Sequence, residues 1–298
     1  MASKLLRSRN YAPSERLAPY IARHYIFSVD APDAFELIDQ LLAETIFVRL
    51  LLQGDWAAEL NPGEWSNVGP AVFFGSNSRP MRVRVRGGFR VVGIALCPAG
   101  WPALSNAPAS EFTDRMLPLD AIAGDRAAAL FGDVASVTDD DEAGDQAIIA
   151  VIERHFSALL DERGWQAPHP AMHRFELVAR NNSTAKVAEV AAELGIAPRQ
   201  LERLCLTHFG MSPKAVLRRS RFLDMASAIR GLSHPDEHEL AALRFSDQSH
   251  LIYEFHRFIS MTARQFGKTP TPLLDAGLEL RNLRKAEDAA RGLAVRPG

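Results

Sequence analysis

Between residues 23 and 97 the apolar positions come in short runs broken by turn residues. Arg23–Val29, Thr45–Leu52, Ala71–Gly75, Met81–Arg86 and Phe89–Leu96 are rich in Val, Ile and Phe, with Asn61-Pro62-Gly63 and Gly69-Pro70 among the breaks. That pattern predicts β-strands. In MRVRVR-GG-FRVVGIAL, Arg82, Arg84 and Arg86 alternate with Met81, Val83 and Val85, so the three arginines share one strand face. That face is either solvated or an anion-binding surface. Gly87-Gly88 has the length and residue type of a two-residue hairpin loop, which predicts two strands here. Short strands at this spacing suggest a small barrel or sandwich.

After Cys97 the period lengthens. Pro98-Ala99-Gly100-Trp101 opens a helical stretch, and short helices follow through Phe131. Between about Ala143 and Leu160, Ile148, Ile152, Phe156 and Leu159 recur at helical spacing. This stripe either closes the core of a first domain or meets its copy in a second subunit. The acidic run Asp139–Glu142 reads as a solvated loop or as a helix N-terminus, where negative charge is favourable. Residues 161–170, DERGWQAPHP, are polar with two prolines and a glycine and are predicted to be a linker.

Lys186–Phe209 then reads as two short helices joined by a tight turn. Val187, Val190, Ala191 and Leu194 share one helical face. Gly195 breaks that helix and Pro198 opens the next. Leu201, Leu204, Cys205 and Phe209 form the apolar side of the second helix, while Arg199, Gln200 and Arg203 project opposite. Long polar side chains behind a packed face suit a helix that reads base edges in a major groove. A pair of amphipathic helices with a solvated basic face has the same pattern, so this segment alone leaves both readings open.

The unit recurs about 50 residues later. Leu194-Gly195-Ile196 answers Leu243-Arg244-Phe245, and Leu201 and Cys205 answer Leu251 and Phe255. Phe209-Gly210-Met211-Ser212-Pro213 answers Ile259-Ser260-Met261-Thr262-Ala263. Ser246 is a candidate N-cap for the later helix. Two copies of one supersecondary unit are less easily produced by chance than one. Between them Ser212-Pro213 starts a long helix. Phe222, Met225, Ala226 and Ile229 form its apolar stripe, and Lys214, Arg218 and Arg221 line another face. Eighteen residues span roughly 27 Å, a spacer that sets two recognition helices near one ~34 Å turn of DNA apart.

Composition sharpens this division. The net charge of −2 conceals −7 over residues 1–170 and +4 over residues 171–270, so only the back half is suited to a polyanion. The chain of 298 residues has room for roughly two domains. It contains neither a membrane-length apolar run nor a signal-peptide pattern. Its two cysteines, Cys97 and Cys205, fall inside apolar patterns and fit a reducing cytoplasm. A metal-dependent enzyme in the β-rich half is excluded by its ligands, because His24 is the one histidine before residue 151. His169 with His173 and His234 with His238 are i, i+4 pairs without a third ligand. No GxSxG motif or glycine-rich phosphate loop is present. A metal-free ligand pocket stays open, with Trp56, Trp65, Phe73, Phe74 and Trp101 as candidate lining or core residues.

On VAEVAAELGIAPRQLERLCLTHFGMSPKAVLR and RFSDQSHLIYEFHRFISMT, residues 171–270 resemble the DNA-binding domain of AraC/XylS-type transcriptional regulators. PAGWPALSNAPASEFTDRMLPLD, after a β-rich segment, is similar to one group of cupin-like sensor domains in that family. The resemblance implies an α+β chain. It would have an N-terminal β-rich, cupin-like barrel with flanking helices, and a C-terminal all-α domain of two helix-turn-helix units joined by a long linker helix. The boundaries expected are 1–160 for a sensor or dimerisation domain, 161–170 for the linker, 171–270 for the DNA-binding domain and 271–298 for a tail, partly helical or disordered.

The function implied is a cytoplasmic, non-enzymatic transcription regulator without cofactor or metal. Its partners would be double-stranded DNA and RNA polymerase, with a homodimer and a small-molecule effector as further candidates. Base contacts are expected from Arg199, Gln200 and Arg203 in the first unit and from Gln248, Ser249, His250 and Tyr253 in the second. Phosphate contacts are expected from Lys214, Arg218 and Arg221. The second unit departs from the family pattern. Arg244 replaces a turn glycine, Tyr253 stands where arginine is common, and Ser260 and Ala263 replace glycine and proline. The first unit is therefore expected to carry most of the discrimination. The alternative is an effector-binding protein whose basic helices contact protein instead of DNA.

Overall fold

A computed structural model describes residues 6–67, 69–233 and 248–293, with the backbone alone at residues 60 and 248–251. The N-terminal half is one antiparallel sheet of eight strands: β1 (Arg7–Tyr11), β2 (Ile21–Val29), β3 (Glu36–Leu41), β4 (Phe47–Asn61), β5 (Glu64–Ser66), β6 (Ala71–Phe74), β7 (Met81–Leu96) and β8 (Met116–Pro118). The main path runs β1-β2-β7-β4-β6-β8, with β3 added to β7 and β5 to β4.

The expected hairpin at Gly87-Gly88 is not formed. Strand β7 continues through both glycines. Its first half pairs with β3 and its second half with β2, while β4 accompanies both. The glycines bend the strand. Gly87 has φ +65°, and a Cβ on Gly54 of β4 would lie 2.8 Å from the Gly88 carbonyl and 2.7 Å from Phe89 Cβ. Facing glycines let the two long strands turn together, and the β4–β7 register shifts on either side of Gln53.

Alternation along these strands separates two cores. Val48, Leu50, Phe73, Val92 and Ile94 face the helices. Phe47, Leu51, Val72, Phe74 and Val91 face the interior of the sheet. The helices of this half are α1 (Trp101–Leu104), α2 (Asp120–Ala123), α3 (Asp125–Ala135) and α4 (Glu142–Arg163). The α4 stripe Ile148, Ile152 and Phe156, with Leu160, is buried in the sheet's outer core, so intrachain packing absorbs it. The acidic run at its start has structural partners. Asp141 accepts from Gly144 N at 2.8 Å as N-cap, and Asp140 pairs with Arg7 and Arg9 of β1.

The C-terminal half comprises α5 (Pro170–Asn181), α6 (Val187–Glu193), α7 (Pro198–Phe209), α8 (Pro213–Ile229), α9 (Gln248–Ile259), α10 (Ala263–Phe266) and α11 (Pro272–Ala290). Helix α8 serves two cores. Val216 and Leu217 pack with Phe175, Leu201, Cys205 and Phe209. Phe222, Leu223 and Ala226 pack with Phe255, Phe258, Ile259 and Phe266. The segment assigned by sequence to a tail supplies α11, whose Leu274 and Leu278 join that second core and whose Leu273 enters the sheet interior. Arg244, Phe245 and Ser246 lie outside the described residues, as do His234 and His238.

The halves meet through polar groups buried at their join. Arg219 of α8, 1% exposed, donates to the carbonyls of Ala43 (3.1 Å), Asn77 (2.8 Å) and Glu44 (2.5 Å). Arg281 of α11 pairs with Asp224 of α8 and with Glu44 after β3. Asp39 of β3 accepts from Leu273 N at 2.7 Å, so a sheet carboxylate caps a helix of the other half.

Candidate nucleic-acid interface

The turn between α6 and α7 is built by backbone hydrogen bonds. Ile196 N donates to Ala191 O at 3.1 Å and Gly195 N to Ala192 O at 3.0 Å. This pair is a Schellman closure with Gly195 in the left-handed region, φ +66°. Pro198 then opens α7. Leu201, Cys205 and Phe209 are buried against α5 and α8. On the opposite side Arg199, Gln200 and Arg203 are all exposed. Among the described residues none gives these three side chains a hydrogen bond or ion pair. They form one free polar face, as the apolar spacing predicted. Leu206, 40% exposed, extends the row at Arg199 and Arg203 by a further turn. The sequence reading passed over it because an isolated leucine looks like core. A methyl-bearing side chain there suits a thymine methyl group.

Lys214, Arg218 and Arg221 also converge. With Lys186 they line a cleft of about 400 Å³ between the start of α6 and the side of α8. Their states differ. Lys214 is exposed. Arg218 is held by the buried carboxylate of Glu254 in α9, and its guanidinium lies 5.4 Å from the Tyr253 ring. The hydrogen bond that Arg218 donates to Glu254 raises its pKa. Arg221 is half-buried, and desolvation lowers its pKa.

In the second unit, Gln248, Ser249 and His250 occupy the first turn of α9 by backbone, and their side chains lie outside the described residues. Tyr253 is 53% exposed. Its hydroxyl, hydrogen-bonded by Arg257 and Arg218, titrates below the ordinary phenol range. Ile252, His256 and Arg257 are exposed beside it and were not singled out by sequence. Their i, i+4 relations, Ile252 to His256 and Tyr253 to Arg257, were the available signal. Ser260 at the end of α9 takes φ +54°, the conformation Gly210 takes after α7 at φ +77°.

Residues 190–269 match the model of a helix-turn-helix domain. The chain carries an AraC-type helix-turn-helix domain. Residues 9–118, most of the sheet, match a domain of unknown function, DUF6597. No curated protein matches the chain. Among solved structures, ToxT from Vibrio cholerae O395 is similar at 10% identity, covering 89% of this chain and 98% of that one, with a TM-score of 0.43. Unsaturated fatty acid bound wild-type ToxT from strain SCE256 covers 82% and 94% at 10% identity and TM-score 0.43. The AraC-like transcriptional activator CuxR covers 76% and 88% at 15% identity and TM-score 0.28.

A cavity of about 150 Å³ lies between the interior face of the sheet and α11. Tyr25 and Phe47 line it from the sheet and Leu223, Leu274 and Leu278 from the helices, with Arg23, Arg281, Arg284 and Glu44 also in its lining. None of the five aromatic residues picked from the sequence lines it. Phe73 and Trp101 pack in the outer core, 5.9 Å apart, and Trp56 and Phe74 pack in the inner one. Trp65 stands on the solvated face near Arg82 and Arg84. Arg82 and Arg86 there are paired with Glu59 and Glu36, and Arg84 lies over the Trp65 ring. Among the described residues, no helix is long and apolar enough to cross a membrane, and no group of three His, Cys, Asp or Glu side chains is placed to hold a metal.

Proposed function

We propose that the chain is a cytoplasmic, sequence-specific DNA-binding transcription regulator whose β-rich half answers to a small effector. The observation that carries this reading is the free polar face of α7. Arg199, Gln200 and Arg203 are exposed, without side-chain partners among the described residues, on a helix packed from behind against α5 and α8. Arginine suits guanine and glutamine suits adenine, and one good bidentate pair is worth about 1–3 kcal/mol. In this reading Lys214, Arg218 and Arg221, which line the cleft between α6 and α8, contact phosphates, while Gln248, Ser249, His250 and Tyr253 of the second unit reach a neighbouring groove. RNA polymerase and a second copy of the chain are the further partners of such a regulator. The cavity against α11 supports the effector role, because α8 carries both reading units and contributes Leu223 to its wall.

The test is selection of genomic fragments by the full-length chain, followed by titration of the selected site at several salt concentrations. Enrichment of one motif, with log affinity falling linearly against log salt, is expected. Salt-independent or motif-free binding would instead favour a protein-contact role for the basic helices.

A further inference from the structure

The basic cleft beside α6 has a continuation that reaches the β-rich half. Lys214 and Arg218 of α8 also line a second cleft of about 260 Å³, shared with Arg257 and Phe258 of α9 and with Ser78 of the β-rich half. A third cleft, of about 230 Å³, is lined by Asn77, Arg79 and Arg82 and by Ser260, two residues past Phe258. The loop of residues 75–80, between β6 and β7, therefore borders both. Along α9, Tyr253 and Arg257 stand at i, i+4 on one exposed face, and Ser260 follows at the helix end. This line starts at a residue assigned above to base contact and ends across the third cleft from Arg79. From Tyr253 to Ser260 is about 10 Å of helix, or about three nucleotide rises along one DNA strand.

The charges along this path do not cancel. Arg218 is held by Glu254 and Arg82 by Glu59. The Asp114 carboxylate is taken up by the loop itself, accepting from Ser78 N at 2.7 Å, Ser78 Oγ at 2.5 Å and Arg79 N at 3.4 Å. The Arg79 guanidinium is exposed and has no hydrogen bond or ion pair among the described residues. Arg257 is exposed too, and its partner is the Tyr253 hydroxyl. Lys214, Arg257 and Arg79 thus leave a positive surplus here, although residues 1–170 are acidic as a whole.

The loop is also fixed from beneath. Asn77 Oδ1 accepts from Ala43 N at 2.9 Å, Asn77 O accepts from the buried Arg219 at 2.8 Å, and Ser76 Oγ donates to Phe209 O at 2.8 Å. Arg219 belongs to α8 and Phe209 to α7, so the helices that carry the reading face also place this loop. A cation on a support already ordered loses less entropy on binding than one on a free segment.

We propose that the loop between β6 and β7 is part of the DNA-binding surface, with Arg79 and Arg257 holding the phosphodiester backbone beside the groove that α9 enters. The inference rests on the regulator reading above and adds the β-rich half to the bound surface. Contacts to phosphate carry no sequence information but fix the register and orientation of the protein on the duplex. Arg79 would set how the second unit lies on its site, leaving base choice to the helices.

The test is anisotropy titration of the full chain on a duplex carrying its selected site and on an unrelated duplex, each at four salt concentrations. Arg79→Ala should reduce the salt slope by about 0.9 on both duplexes, with the melting temperature unchanged. Arg79→Lys should keep the slope, and Arg79→Glu should lower it further than alanine does. Arg154→Ala removes one exposed charge from α4; it controls for net charge and should leave the slope as it is. A slope in R79A within error of wild type, an equal loss in R154A, or a loss confined to the selected site would overturn the proposal. Absence of salt-dependent DNA binding by the wild-type chain would remove the regulator reading and this contact with it. Wild-type binding with an unchanged slope in R79A would remove the contact alone.

Discussion

Thr113 Oγ1 donates to the carbonyl of Gly210 at 2.9 Å, tying the turn after α7 to the β-rich half. Ser76 Oγ supports the same turn through Phe209 O at 2.8 Å. Gly210 is needed twice there. Its φ is +77°, and a Cβ would stand 2.4 Å from Thr113 Oγ1 and 2.9 Å from Ala109 O. Gly210→Ala should therefore destabilise the chain beyond the ~1–2 kcal/mol of left-handed backbone strain alone. Ser260, at φ +54° after α9, is the contrasting case. Ser260→Gly should stabilise by up to about 1 kcal/mol. Urea unfolding of both variants checks the pair, and equal shifts of the same sign would contradict it.

Arg203→Ala should weaken binding to the selected site by about 1–3 kcal/mol and relax base preference at one position, with an unchanged circular dichroism spectrum. Lys214→Ala should weaken binding on all sequences and reduce the salt slope by about 0.9. Arg218→Ala should reduce that slope less, because Glu254 already holds the guanidinium. Anisotropy titrations at four salt concentrations separate the three variants. A sequence-selective loss in K214A would remove its phosphate role.

Arg219→Met leaves the carbonyls of Asn77 and Glu44 without this buried donor, while Ala43 O keeps the Asn77 N–H. Each orphaned group costs about 1–3 kcal/mol, so an overall loss of several kcal/mol is expected. The same change on an exposed helix face would cost a small fraction of this. A denaturant midpoint within error of wild type would show that the join does not depend on this side chain.

Asp39 makes the join sensitive to pH. Burial pushes its carboxyl from an ordinary 3.8 to about 7, although the backbone N–H groups of Gln40 and Leu273 pull the other way and Asp275 adds to the rise. Between about pH 4 and 7 the folded chain keeps a proton that the unfolded chain releases. Stability from this group is therefore present at low pH and lost as pH rises through 7, with a slope of at most about 1.4 kcal/mol per pH unit. Asp39→Asn should flatten the fall in melting temperature between pH 5 and 7.5. If D39N instead loses stability at pH 7.5 and matches wild type at pH 5, the ionised carboxylate is the stabilising form.

The parts legible in sequence were those set by local period and local chemistry. The 3.6-residue spacing of Leu201, Cys205 and Phe209 located α7 and its free face, and Ser212-Pro213 located the start of α8. The hairpin at Gly87-Gly88 was misread because two glycines between apolar runs have the same composition whether they reverse a strand or bend it. Gly54, 33 residues earlier, decides for the bend. The cavity was invisible for a similar reason. Its walls come from β2, β4, α8 and α11, which no window of sequence brings together. The acidic run before α4 reads as a solvated loop or a helix N-terminus; Asp141 bears out the second, while the pairs of Asp140 with β1 were hidden because they span more than 100 residues.

Helix α11 is translated after every element it packs against. Until it has left the ribosome, Arg281 cannot reach Asp224 or Glu44, Asp39 has no helix to cap, and the cavity lacks one wall. Helices α6 and α7 are complete 63 residues before α11 begins. A nascent chain should thus pass through an interval in which the α6–α7 unit is folded while its link to the cavity beneath α11 does not yet exist. Control by a ligand would begin only once that last helix has docked.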